Sequence, residues 1–214
     1  MILSIDHIAL TCSDSSRACQ YLTSMGYKER FAAVNVPNPV IKKNLSQTWC
    51  ATHDLLFFEK PDSFNIEVIK YDAVYEGKSF LTPVFEHAEY VPGKTIIISA
   101  VDLERAYQFW SLFGIKVLTK ERDHYVCVFQ TPFSKEVFFI IALSQALCAD
   151  TLMDLAGFNC IAFVSASLVN DHQLFIKKGI NVTPIEDIVV NGKKLFIFFA
   201  KGSQGENVEV IGHN

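Results

Sequence analysis

One histidine and two glutamates stand in apolar runs where an ionisable side chain is expensive. His7 lies in Ile5-Asp6-His7-Ile8-Ala9-Leu10, Glu67 in Asn65-Ile66-Glu67-Val68-Ile69 and Glu209 in Asn207-Val208-Glu209-Val210-Ile211. The last two runs have parallel wording, which aligns their glutamates. All three read as strands, in which alternate residues share a face. His7 therefore goes with Ile5, Ala9 and Thr11, Glu67 with Ile69 and Tyr71, and Glu209 with Ile211 and His213. If those faces turn inward, each carboxylate costs several kcal/mol unless it is paired, protonated or bound to a cation. If the strands are offset by one residue, both glutamates lie in solvent instead. A mixed imidazole and carboxylate shell suits divalent iron, manganese or zinc. An apolar cup that raises a glutamate's pKa toward neutrality also makes that residue, Glu67 or Glu209, a candidate general base.

The remaining candidates are weaker. His53, in Thr48-Trp49-Cys50-Ala51-Thr52-His53-Asp54, shares its parity with Trp49 and Ala51, so His53 and Trp49 are candidate pocket residues beside a strand-end alternative in solvent. His213 is too far along an extended strand from Glu209, roughly 13 Å, to share a cation with it. His87, His124 and His172 read as surface residues. The Phe-rich strands suit either a core or an aromatic-lined pocket.

The elements that must position these residues recur. IDHIALTCSDSSRACQYLTSMGYKERF, KTIIISAVDLERAYQFWSLFGIKVLTK and FNCIAFVSASLVNDHQLFIKKGINVTP each read as a strand, a cap, a short amphipathic helix, a glycine and a second strand. The step from His7 to Gly26 is 19 residues, as it is from Thr95 to Gly114 and from Cys160 to Gly179. A shift of 88 residues matches Asp14, Arg17, Ala18, Gln20, Gly26 and Lys28 with identical residues, six identities in fifteen positions, which points to duplication. Asp14, Asp102 and Ser167 stand at N-cap positions. Ala18, Tyr21, Leu22 and Met25, and likewise Ala106, Phe109, Trp110 and Phe113, follow the spacing of one buried helix face. Gly26, Gly114 and Gly179 suit left-handed helix ends. Three strand-like runs follow each glycine, with a two-residue hairpin signal at Asn191-Gly192. The expected fold is α+β, with three tandem βαβββ modules forming curved mixed-sheet cups and helices on the outer face. The expected boundaries are 1–72, a connection over 73–92, then 93–148 and 149–214.

A βαβββ unit that opens with Ile5-Asp6-His7-Ile8-Ala9-Leu10 and closes with Asn65-Ile66-Glu67-Val68-Ile69 resembles a module of the vicinal-oxygen-chelate superfamily, which includes glyoxalases, bleomycin-resistance proteins and extradiol dioxygenases. The resemblance covers nearly the whole chain. It implies paired modules, a divalent metal (Fe, Mn, Zn or Ni) and ligands from first and last strands, positions that His7, Glu67 and Glu209 occupy. Thr95 and Cys160 stand where further histidines would be expected, and are carried as pocket residues; the closing strand of the second unit, 137–143, has no carboxylate. The three ligands meet only if the first and third units share one cup. The resemblance implies isomerase, lyase or dioxygenase chemistry on a small molecule with adjacent oxygens, with metal-free binding of a hydrophobic ligand, as in resistance proteins, as the alternative. In the metal reading, Glu67→Gln weakens metal binding with little loss of fold, and stability without metal rises.

The composition narrows the field. The chain has 214 residues, 50% of them hydrophobic, including 18 Phe, which is ample for a sheet-rich core. Its net charge of −4 and scattered Lys and Arg argue against nucleic acid. No apolar run is long enough for a membrane span, and the N-terminal residues do not read as a signal peptide. Cys12, Cys19, Cys50, Cys127, Cys148 and Cys160 form no CxxC pair and read as free thiols of a cytoplasmic protein. An odd module leaves a sheet edge and an apolar face to cover, so a homodimer, or closure against residues 73–92, is expected.

Overall fold

Two mixed sheets take up the alternating strands, and the stretches between them supply the helices. The computed structural model describes residues 1–76, 80–84, 94–133, 135–142 and 152–213. First along the chain come β1 (Ile2–Cys12), α1 (Ser15–Ser24), β2 (Lys28–Pro37), a 3-10 helix (Val40–Leu45), β3 (Thr52–Glu59) and β4 (Ile66–Lys70). Next are β5 (Leu81–Val84), β6 (Lys94–Ala100), α2 (Leu103–Ser111), β7 (Lys116–Lys120), β8 (His124–Gln130) and β9 (Lys135–Ala142). The last are β10 (Gly157–Ser165), α3 (Leu168–Lys177), β11 (Asn181–Val182), β12 (Glu186–Val190), β13 (Lys193–Lys201) and β14 (Asn207–Gly212).

Nine strands form the first sheet, in the order β11-β13-β14-β10-β1-β4-β3-β2, with β12 also paired to β13. Its centre is the antiparallel pair β1 and β10, so the first and last thirds of the chain share one sheet. On either side of that seam a parallel strand follows, β4 beside β1 and β14 beside β10. The second sheet runs β5-β6-β9-β8-β7. Its β5 comes from the stretch expected as a connection and pairs antiparallel with β6, which covers one edge of the middle third.

The helices end as the spacing predicts: Gly26, Gly114 and Gly179 have φ of +84°, +87° and +74°. Asp14 and Asp102 accept from the backbone N–H groups of Arg17 and Arg105. Ser167 differs. It precedes α3 but caps no N–H, and its Oγ accepts instead from Asn170 Nδ2. The first strand-like run after Gly179, 180–190, breaks into β11 and β12 around Pro184, which has no N–H to give a ladder. Asn191 and Gly192 turn β12 into β13 with φ of +49° and +73°.

The main core lies between the sheets. Phe113, just beyond α2, stacks on Phe163 of β10 at 5.0 Å, and Phe175 of α3 meets Phe113 edge-on at 5.0 Å. Trp110, Phe138 and Phe198 are fully enclosed in the same cluster. The helices and the second sheet thus cover one face of the first sheet. The opposite face carries a smaller apolar cluster that includes Ala9, Ile69, Tyr71, Cys160 and Phe199. Cys12, Cys19, Cys50, Cys127 and Cys160 are free thiols, and Cys148 and His87 lie outside the described residues. Among the described residues no helix is long and apolar enough to cross a membrane.

Candidate metal centre

The register of the first sheet explains how three residues distant in sequence meet. Ala9 of β1 lies beside Glu67 of β4, while His7 pairs with Ala162 of β10, and Ala162 lies beside Glu209 of β14. Strands β1 and β14 are two spacings apart, about 10 Å. His7 and Glu209 bridge that gap because the residue between them is only alanine. His7 Nε2 lies 3.2 Å from Glu67 Oε2 and 3.8 Å from Glu209 Oε2. One ligand atom from each of the three falls within 4.8 Å of the others. His7 and Glu209 are buried and Glu67 nearly so, which excludes the offset register that would have put the glutamates in solvent.

His7 is held from behind. Its Nδ1 donates to Asp6 Oδ2 at 2.9 Å, which leaves Nε2 facing the glutamates. Asp6 and His7 are consecutive and should point to opposite faces, but β1 slips register between Ile5 and His7, and Asp6 has no partner on β10. Such a bulge re-aims side chains. The parity rule therefore hides Asp6 from a sequence reading.

Nε2 is buried and makes no well-aligned hydrogen bond. A cation about 2.0–2.3 Å from each ligand atom needs ligand separations of about 3–4 Å, within small side-chain movements of those present. An orphaned buried nitrogen facing two carboxylates is a donor set that fits a divalent metal.

The carboxylates are driven apart in acidity. Burial works to raise the Glu67 pKa, but His7, Lys42 and His53 outweigh it and hold the group below its ordinary value. For Glu209 burial prevails over Lys42, with Glu67 adding to it, and the pKa rises. Burial works to depress the His7 pKa, yet Glu67 and Asp6 hold it well above its usual value.

A cavity of about 460 Å³ opens onto Glu67 and Glu209. Leu55, Ile188, Val190 and Ile197 supply apolar wall, and Lys42 and His53 add polar groups. His53, expected as a pocket residue, lines it and is buried, its pKa lowered to about 4 by burial and then by Lys42. Cys160 is buried in the apolar cluster beneath, with its thiol pKa pushed well up by burial and then by Glu209. It is not part of the three-residue set. Trp49 does not line the cavity: it sits before β3 in a loop pinned by Asp154, which accepts from the Gln47 and Thr48 N–H groups at 2.9 and 2.8 Å. Thr95 is also elsewhere, buried in β6 of the second sheet.

Sequence reasoning missed Lys42. It belongs to the 3-10 helix, where residues three apart share a face, and it is buried three residues before buried Leu45. That period was the available signal. Glu186 of β12 ties the first turn of the same helix across the cavity rim, accepting from the Val40 and Ile41 N–H groups at 3.2 and 3.1 Å.

No family model matches the sequence, and no curated protein matches it. Among solved structures the chain is similar to glyoxalase I from Zea mays, at 14% identity over 97% of this chain and 67% of that one, with a TM-score of 0.43. It is also similar to a glyoxalase/bleomycin resistance protein/dioxygenase from Alicyclobacillus acidocaldarius, at 16% identity over 56% of this chain and 89% of that one, with a TM-score of 0.42. An integron cassette protein from the mobile metagenome of V. Cholerae gives 12% identity over 55% and 91%, with a TM-score of 0.41. The chain thus spans about two thirds of the length of the glyoxalase I it matches.

Proposed function

We propose that the cup is a small-molecule active site in which His7, Glu67 and Glu209 hold a divalent metal and act on a substrate with adjacent oxygens. The observation that carries this reading is the buried His7 Nε2, braced through Nδ1 and directed at two carboxylates. Bound there, the ion would supply Lewis-acid polarisation of the two substrate oxygens. His7 contributes a neutral nitrogen whose tautomer Asp6 sets, and Glu67 contributes a persistent negative charge. Glu209, which stands farther from His7 Nε2 than Glu67 does, is the residue suited to leave the ion, accept a proton from the substrate and return it. The apolar walls lower the local dielectric and so strengthen each of these interactions. Isomerase, lyase and dioxygenase chemistry all fit this arrangement.

The test is metal analysis of protein purified without chelators, followed by Mn²⁺ titration of stripped wild type and His7→Ala. The reading expects about one ion per chain, lost in the variant. Wild type that takes up no ion overturns it.

A second reading is favoured by charge: a protonated His7 and Lys42 already face Glu67 and Glu209, two cations against two anions. On that reading the cup is a metal-free binding site for a hydrophobic molecule, and the same titration separates the two. The second sheet, whose Ile97, Val126 and Phe139 are half-buried, is our proposed place for a homodimer contact. Light scattering across a concentration series checks it, and a monomer throughout refutes it.

A further inference from the structure

We infer that Lys42 is an anion-binding residue of the cup, and that the ligand is a small 2-hydroxy or 2-oxo carboxylic acid with an apolar tail. The inference deepens the active-site reading above and rests on it for the placement of the ligand.

Lys42 is 5% exposed and lines the cavity with Glu67, Glu209 and His53. Among the described residues its ammonium makes no hydrogen bond or ion pair; it lies 5.5 Å from the centre of the Phe199 ring. A lysine so buried is ordinarily paired, because an unpaired charge in an apolar setting is expensive. Here the glutamates that face it are directed at His7. The ammonium therefore retains donors directed at whatever occupies the cavity.

Charge balance selects the ligand. Of the other carboxylates near the cavity, Asp6 stands behind His7 partly in solvent, Glu186 is engaged by two backbone N–H groups at the rim and Asp187 pairs with Lys194. A divalent ion with ionised Glu67, ionised Glu209 and neutral His7 sums to zero. Lys42 then leaves one positive charge in a buried position beside the cavity, which a monoanion cancels. Two adjacent oxygens for the ion, one negative charge for Lys42 and an apolar remainder against Leu55, Ile188 and Ile197 describe a carboxylate bearing an oxygen on the next carbon. A neutral diol or diketone would leave the ammonium unpaired.

The test compares mandelate with its uncharged near-isostere mandelamide by calorimetry, on Mn²⁺-loaded and EDTA-treated wild type, Lys42→Met and Lys42→Gln. Wild type should bind mandelate at least about tenfold more tightly than mandelamide, and both variants should bind the two within about twofold. Both variants should keep about one Mn²⁺ per chain and melt no lower than wild type, which separates loss of the charge from loss of the fold; if Lys42→Met is unstable, Lys42→Gln carries the comparison. A wild type without the preference, variants that keep it, or no binding of either probe overturns the proposal. Failure of Mn²⁺ binding with a preference that still depends on Lys42 sinks the metal reading and leaves the anion site standing. Stoichiometric Mn²⁺ with no preference does the reverse.

Discussion

Glu67→Gln preserves shape while deleting the negative charge that His7 and Lys42 both face. For an inward carboxylate considered alone, removal of the charge should stabilise metal-free protein, and that was the expectation from sequence. The geometry reverses the sign, because at pH 7 Glu67 is an ionised partner in a buried pair. Deleting one partner of such a pair costs about 3–5 kcal/mol. Glu209 Oε2 stands 3.8 Å from the same nitrogen and takes over part of the interaction, so the expected loss is about 2 kcal/mol. The metal-loaded protein should differ more. Loss of a supporting carboxylate alone costs about 10–100-fold in metal affinity, and loss of a ligand at least the upper figure. With Mn²⁺ at about 100 times the wild-type dissociation constant, wild type gains about 2.7 kcal/mol and the variant about 0.4. Urea denaturation of both proteins, EDTA-treated and Mn²⁺-loaded, reads all four values. A variant within about 0.5 kcal/mol of wild type in both conditions would show Glu67 to be an uninvolved strand residue.

Asp6→Ala leaves the buried His7 Nδ1 without its partner and should cost about 1–3 kcal/mol, while Mn²⁺ affinity falls about 10–100-fold by titration; unchanged affinity would remove Asp6 from the centre. Ala162→Leu should cost about 1–3 kcal/mol by overpacking and abolish Mn²⁺ uptake, since the new side chain stands between His7 and Glu209; retained uptake would refute the described floor. His53 has a folded pKa of about 4, below its unfolded value of about 6.5, so the unfolded chain binds more protons between them and stability is lost as pH is lowered through that window. Up to about 3 kcal/mol should be lost by pH 4, and His53→Gln should flatten the profile measured by urea titration; a variant with the wild-type slope would contradict the assignment.

Much of this architecture was legible because local physics dictated it. The three glycines needed positive φ, Asp14 and Asp102 found free N–H groups, and Asn191-Gly192 could hardly be other than a tight turn. His7, Glu67 and Glu209 were legible as residue types on one face. Their meeting was not, because it depends on β1 choosing β10 as its neighbour, a pairing between residues about 150 positions apart that no local pattern specifies. Asp6 was hidden by a bulge, and Trp49 was misplaced because strand parity was extended into a loop that Asp154 pins. Lys42 was hidden because a Lys-Lys pair between strands reads as solvated, and only the three-residue period of a 3-10 helix buries one of the two.

The departure from internal symmetry is the informative part of the centre. Across the β1 and β10 seam the sheet repeats itself: Ala9, Glu67 and Phe57 on one side correspond to Ala162, Glu209 and Phe199 on the other. The same correspondence sets His7 against Cys160. A symmetric cup would place a second imidazole there and close the donor set with two histidines and two glutamates. This chain has a small buried thiol instead, and Lys42 lies close enough to it for each to perturb the other's acidity. One half of the cup thus offers a nitrogen donor and the other a positive charge above Phe199. On the proposed metal reading, a ligand that presented one face to His7, Glu67 and Glu209 and another to the ammonium would have its orientation set by charge before any shape is considered, and that asymmetry would distinguish a directed reaction site from a symmetric cation trap.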